Sequence, residues 1–227
     1  MPWADWIRTV EVEPSLYAAD FARLGEQIEQ LLDSGARVFH YDVGDGHFVE
    51  PIILGPIVLQ SVAERIHGGG ALVDVHLMVE SPERYFDAFR AAGADSVTFH
   101  YEAVEDVGAV VATARQQGLG VGVSLKPKTP VDEVAAAATE AGTDLVLCMS
   151  IEPGYSGQQF MPDAYERLRR LRELLPASMR LQVDGGVKRE NIHAAREAGA
   201  NLLVAATAVF HDGDVGAAYR GLVAASQ

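Results

Sequence analysis

Short apolar runs rich in β-branched residues alternate with longer amphipathic stretches from one end of the chain to the other. The runs are VEVEPSLY (10–17), RVFHYDV (37–43), ALVDVHLMV (71–79) and SVTFHYE (96–102), then GVGVSLK (120–126), LVLCMSI (145–151), RLQVDGG (180–186) and NLLVAA (201–206). Each has the length and residue types of one strand. The stretches between them carry helix punctuation. In DFARLGEQIEQLLDSG, Asp20 is a candidate N-cap and Gly35 a candidate stop. SPERYFDAFRAAG repeats the pattern, with Ser81 as cap, Pro82 at the first helical position and Gly93 at the end. Strands separated throughout by helices pair in parallel through right-handed crossovers.

An internal echo favours a closed sheet over an open one. A helix-ending glycine, a small residue and then a strand recur at Gly35-Ala36, Gly93-Ala94, Gly142-Thr143 and Gly199-Ala200, before strands 2, 4, 6 and 8. Repetition at every second unit suits an eightfold barrel. The 227 residues are close to the size of a (β/α)₈ TIM barrel, and no linker or low-complexity segment divides them. The expectation is an α/β protein with a single (β/α)₈ barrel domain over residues 1–227.

Composition removes several function classes. The formal charge of −14 disfavours nucleic acid, whose phosphates call for a basic surface. No apolar stretch approaches the ~18 residues of a membrane span, so no membrane partner is expected. The start, MPWADWIRT, lacks a basic region followed by an apolar one, and secretion is not expected. A lone cysteine, Cys148, excludes an internal disulfide and fits a reducing, cytoplasmic setting.

In such barrels the chemistry lies at the C-terminal ends of the strands. Strand 2 offers His40 and Asp42, spaced i, i+2 and so on the same side of the sheet. Strand 3 offers Asp74 and His76, strand 4 His100 and Glu102, and strand 7 ends in Asp184-Gly185-Gly186. Facing inward, two imidazoles and two or more carboxylates converge at the barrel mouth, a donor set for Zn²⁺, Fe²⁺, Mn²⁺ or Co²⁺. Any one of these residues alone reads as a polar strand end; four at matched positions on strands 2, 3 and 7 read as a site. Asp74 lies deeper than His76, where a hydrogen-bonding role is expected. His67, His193 and His211 fall in helices or loops and read as surface residues. A second ingredient is anion binding. EPGYSGQQF (152–160) follows strand 6, Gly185-Gly186 follow Asp184, and Ala206-Thr207 follow strand 8. Loops after strands 7 and 8 commonly hold a phosphate in these barrels.

These motifs together resemble the ribulose-phosphate 3-epimerase family along nearly the whole chain. The matching pieces are PSLYAADFARL (14–24), HYDVGDGHFV (40–49), DVHLMVESPERY (74–85) and AGADSVTFHYEA (92–103), with MSIEPGYSGQQFMP (149–162), QVDGGV (182–187) and EAGANLLVAATAVF (197–210). The resemblance implies a barrel of the ribulose-phosphate-binding type and a metal-dependent epimerase inverting C3 of a ketose phosphate, by default D-ribulose 5-phosphate. It makes His40, Asp42, His76 and Asp184 the ligands of one divalent ion per chain, Zn²⁺ first, with Asp42 and Asp184 also the acid/base pair. Ser15 would contact the substrate, and Met78 and Met149 would line the reacting centre. Gly154, Tyr155, Ser156, Gly157, Gly185, Gly186, Ala206 and Thr207 would hold the phosphate. The partner is a sugar phosphate, and the family implies a homo-oligomer, dimeric or hexameric.

The chain departs from the family pattern in several places. Gly44 stands where the family has a methionine between the two aspartates, and Tyr17 where it has a leucine. Strands 1 and 2 are neighbours, so the Tyr17 ring is expected to fill the volume vacated at Gly44, beside the substrate. Glu50-Pro51 alters the loop after strand 2, and Ala206-Thr207 replaces Gly-Ser after strand 8, narrowing the phosphate site. These changes leave open another ketose phosphate, such as allulose 6-phosphate or a tetrulose or branched-chain analogue. Lyases of related phosphate-binding barrels carry Asp-x-Lys-x-x-Asp on strand 3, where this chain reads Asp74-Val75-His76-Leu77-Met78. A non-catalytic sugar-phosphate sensor fits poorly with two retained acid/base aspartates.

Overall fold

In the computed structural model, which describes residues 3–6, 10–211 and 213–227, every expected strand forms. They are β1 (Glu11–Pro14), β2 (Val38–Gly44), β3 (Leu72–Met78), β4 (Ser96–His100), β5 (Gly120–Leu125), β6 (Leu145–Met149), β7 (Arg180–Asp184) and β8 (Leu202–Ala205). All pairings are parallel, in the order β1-β8-β7-β6-β5-β4-β3-β2. A parallel bridge between Ser15 and His40 joins β1 to β2 and closes the ring. The result is a (β/α)₈ TIM barrel. Strict alternation places Phe39, Tyr41 and Val43 of β2 in the apolar layer under the helices, while His40 and Asp42 point the other way. The same holds for Val73, Val75 and Leu77 around Asp74 and His76, and for Leu181 and Val183 around Gln182.

Several strands are shorter than expected. The chain leaves β1 at Pro14 and makes a 3₁₀ turn over Leu16–Ala18; it leaves β4 at His100 for a second, Tyr101–Ala103. Helix punctuation is largely as read. Asp20 accepts from the Ala22 N–H at 3.1 Å, and Gly35 and Gly93 end their helices with φ of +94° and +106°. Ser81 is the exception. It occupies the cap position before Pro82, but its own backbone is left-handed and its side chain makes no capping hydrogen bond; Pro82 instead sets the helical φ itself.

The fourfold echo has a physical counterpart at the N-terminal face. Two residues beyond three of the four glycines, a side-chain oxygen reaches sideways to a strand amide. Asp95 accepts from Val73 N–H at 2.9 Å, Asp144 from Val121 N–H at 2.8 Å and Asn201 from Leu181 N–H at 2.9 Å. On the inner side of this face a helical turn, Trp3–Trp6, serves as a plug. Both indoles are buried, with centroids 4.3 Å apart, and they pack with Val38, Leu145, Leu147 and Leu202. Trp3 and Trp6 therefore belong to the barrel bottom.

Candidate active site

At the opposite end the inward side chains of β2, β3 and β7 meet. His40, Asp42, His76 and Asp184 each offer an atom, and those atoms lie within 4.8 Å of one another. His40 Nε2 is 3.3 Å from Asp42 Oδ1, and His76 Nδ1 is 3.0 Å from that oxygen and 3.9 Å from Asp184 Oδ2. Both imidazoles are fully buried, yet among the described residues neither ring nitrogen of His40 has a hydrogen-bond partner. A buried polar atom left so is costly, and a cation held between two imidazoles and two carboxylates would remove that cost at Nε2, the nitrogen on the Asp42 side. The donor set therefore fits a divalent ion. It does not discriminate among Zn²⁺, Fe²⁺, Mn²⁺ and Co²⁺.

Polar side chains around the four hold them. Ser15 Oγ donates to Asp42 Oδ2 at 2.6 Å, so the second oxygen of that carboxylate is fixed. Asp74 accepts from Ser96 Oγ at 2.5 Å, Thr98 Oγ1 at 3.2 Å and Gln182 Nε2 at 3.3 Å, the hydrogen-bonding role expected of it. Its carboxylate also stands 3.6 Å from His40 Nδ1, on the side of the ring away from Asp42. Burial, followed by Asp74, pushes Glu13 up to about 8, and Glu13 accepts from Gln182 at 2.5 Å.

The two site aspartates differ in surroundings. Burial alone would raise Asp42, but His40 and His76 outweigh it and hold that carboxyl well below the usual range. Burial and the neighbouring Asp42 instead push Asp184 up to about 6. Environments that separate two carboxyl groups in this way are a common mark of acid/base pairs.

Above the cluster opens a pocket. Asp42, Asp184, Ser15, Tyr17, Met78 and Met149 line it, together with Gly154, Tyr155, Ser156, Gly157, Gly185, Gly186, Ala206 and Thr207. Ile151, Val187 and Val204 also line it, and sequence reasoning missed them. Their available signal was spacing: Ile151 lies two residues past Met149 and Val204 two before Ala206. The loops are tied to one another. Ser150 Oγ donates to the carbonyls of Asp184 and Gly185, and Gln158 Nε2 to those of Glu152 and Tyr155. Ala206 has φ −101°, so its position does not require glycine's left-handed freedom. His67 pairs with Asp95 on the surface, and His193 and His211 are exposed, away from the pocket.

The expectation that Tyr17 fills the space at Gly44 is corrected. A Cβ built on Gly44 meets the Pro51 carbonyl at 2.8 Å and the side chains of Ile53 and Val49 at 2.9 Å each. The loop after β2 folds back onto the glycine, and Tyr17 packs beside Val49, Ile53 and Met78 on the pocket wall. Asp45 sets this loop, accepting from the His47 and Phe48 amides and, across to the next loop, from the Glu80 amide. Gly44→Ala should cost about 1–3 kcal/mol of unfolding free energy through overpacking. An unchanged denaturation midpoint would show that the loop yields freely.

Comparison with known proteins agrees with this geometry. Residues 11–210 match the model of the Ribulose-phosphate 3 epimerase family. The chain is 41% identical to the ribulose-phosphate 3-epimerase of Schizosaccharomyces pombe, over 88% of this chain and 87% of that one. It is likewise 41% identical to that of Escherichia coli K12, over 89% and 90%. Among solved structures, a 3-hexulose-6-phosphate synthase superposes with a TM-score of 0.73 at 21% identity, over 96% of this chain and 100% of that one. An orotidine 5'-phosphate decarboxylase from Pyrococcus horikoshii gives 0.69 at 15%, over 95% and 98%. The two structural likenesses speak for the barrel alone, whereas the sequence matches cover most of the chain at high identity: this protein belongs to the ribulose-phosphate 3-epimerase family.

Proposed function

We propose that this protein inverts C3 of D-ribulose 5-phosphate to give D-xylulose 5-phosphate, with Asp42 and Asp184 as the proton carriers. The observation that carries the reading is the convergence of His40, Asp42, His76 and Asp184 in one cluster, whose two carboxylates, Asp42 and Asp184, line a pocket. The carbon bearing the proton lies next to a ketone, so its C–H bond can break heterolytically. One carboxylate takes that proton, the electron pair passes into an enediolate, and the other carboxylate delivers a proton to the opposite face. β2 and β7 are separated in the ring by β8 and β1, which lets the two acids reach the substrate from different walls. His40, Asp42, His76 and Asp184 would hold a divalent ion, and when bound it supplies electrostatic stabilisation for negative charge on the substrate oxygens. Met78 and Met149, polarisable and without a transferable proton, pack the flat intermediate. The glycine-rich loops and Thr207 grip the phosphate, which orients the reacting carbon from a distance.

The test is epimerisation in deuterated water. Product should carry one solvent-derived deuterium at C3 per turnover, and a panel of phosphorylated pentuloses, hexuloses and tetruloses should show the pentulose preferred. Product without solvent deuterium, or cleavage in place of inversion, defeats the reading. Prolonged chelation should abolish turnover, and Zn²⁺, Fe²⁺, Mn²⁺ or Co²⁺ should restore it; full activity in a metal-free protein would remove the ion from the mechanism. The reading takes residues 1–227 as one catalytic domain of a cytoplasmic homo-oligomer, dimeric or hexameric. The lone, buried, unpaired Cys148 supports a reducing compartment, and no described helix is long and apolar enough to cross a membrane.

A further inference from the structure

Two chemically capable residues at the end of β4 stand outside the ligand set. His100 is fully buried, and Glu102 sits two residues on, in the 3₁₀ turn Tyr101–Ala103. His76 turns Nδ1 toward the two aspartates, and its other nitrogen, Nε2, lies 2.9 Å from Nε2 of His100. Two ring nitrogens at that distance share one proton, so one ring donates and the other accepts. His100 Nδ1 is 3.1 Å from Glu102 Oε2. The other oxygen of Glu102 accepts from the Lys126 amide at 2.8 Å and from the Thr129 hydroxyl.

A carboxylate with two donors on one oxygen is ionised and can only accept at the other, and this sets the direction of the whole relay. Glu102 accepts a hydrogen bond from the Nδ1–H of His100, neutral His100 therefore presents a bare Nε2, and His76 donates into it from its own Nε2. His76 thus carries a proton on Nε2, on the side of the ring away from Asp42, and an ion placed between Nδ1 and Asp42 leaves that as the ring's one proton. The chain is shielded as well as directed. The Phe48 ring lies 4.8 Å from that of His100, and Lys126 Nζ sits 3.8 Å over the Phe48 ring.

We propose that His100 and Glu102 are positioning residues, which keep His76 in the tautomer that offers a bare Nδ1 to a divalent ion. The inference rests on the ligand reading above. Partners of this kind behind a ligating histidine are worth about 10–100-fold in metal affinity.

The test is a Zn²⁺ titration against a chromophoric chelator in wild type, Glu102→Ala, His100→Leu and His100→Gln. Zn²⁺ should bind about 10–100-fold more weakly to Glu102→Ala and His100→Leu. His100→Gln should recover most of the affinity, because one amide can accept from His76 and donate to Glu102. Leucine fills the space without doing either, so rescue by Gln but not by Leu separates positioning from packing. Nitrogen NMR of the Zn²⁺-loaded wild type should show His76 protonated at Nε2. Tight Zn²⁺ binding by wild type and both weakened variants alike, or a His76 that ligates through Nε2, would overturn the positioning role alone. A wild-type chain with no Zn²⁺ affinity would overturn the ligand reading and this inference together.

Discussion

Asp42→Asn and Asp184→Asn should each lower C3 inversion roughly 10³-fold or more while the barrel stays folded. Asparagine keeps the shape of the side chain and one oxygen, so packing beside His40, His76 and Ser15 survives. What it loses is the ability to take up and return a proton. An inversion needs both operations on opposite faces, so either change alone stops it. The two variants should also differ in a telling way. With one carboxylate left, only the epimer whose C3 proton faces it can still exchange with deuterated water. Matching each variant to the epimer that retains exchange assigns each acid to its face. Inversion persisting at near wild-type rate in either variant, with the fold verified by circular dichroism and thermal unfolding, would sink the two-carboxylate mechanism.

The second large effect is expected at Gly186. Its φ is +62°, and an added Cβ would lie 2.5 Å from the Phe160 amide nitrogen and 2.8 Å from the Gln158 carbonyl. Both obstacles are backbone, so no side chain can swing aside. Gly186→Ala must displace the 152–160 loop from the loop after β7, or force an L-residue into a left-handed conformation that costs about 1–3 kcal/mol. Its own carbonyl accepts from Asn191 Nδ2 at 2.9 Å, a tie that the displacement strains. Losing one charge-assisted hydrogen bond to phosphate is worth about 1.5–3 kcal/mol, or roughly 10–100-fold in KM at 1.4 kcal/mol per decade. Gly221→Ala is the control. Its helical position has open space around it, and alanine there should leave KM unchanged. An unaltered KM in Gly186→Ala would remove these loops from the phosphate site.

Much of the architecture was legible because strand alternation is written in residue polarity. His40 and Asp42 flank Tyr41, and Asp74 and His76 flank Val75, so the inward face was readable wherever it was polar. The phosphate loops were readable through their glycines. What escaped was apolar or depended on a bend. Ile151, Val187 and Val204 line the pocket; Val204 is on β8, where valine looks alike on either face of a buried parallel strand, and Ile151 and Val187 lie past the ends of β6 and β7, where alternation no longer assigns a face. The packing at Gly44 depended on how the 45–53 loop returns, and no local pattern encodes that Val49 and Ile53 come back to cover it. The bond from His76 to His100 was hidden by register. His76 is paired with Thr98, and the contact runs diagonally to the ring two residues farther along β4 on the same face, which pairing alone does not single out.

The side-chain oxygens of Asp95, Asp144 and Asn201 have a consequence for the far end of the barrel. Each grips an outward-facing residue near the start of an odd-numbered strand: Val73, Val121 and Leu181. Counting three residues onward from each gives His76, Ser124 and Asp184, all of which face inward. A strand that slipped by one residue would exchange its two faces and bury those side chains among the helices. The clamps thus act as phase markers, set at one end of the molecule and read out at the other. They make the chemistry of the mouth answerable to the floor: loosening Asn201 would be felt at Asp184, three residues up the neighbouring strand, before it was felt in the barrel as a whole. Ser124 stands at the third such address, already in phase with the reaction centre and carrying a buried hydroxyl.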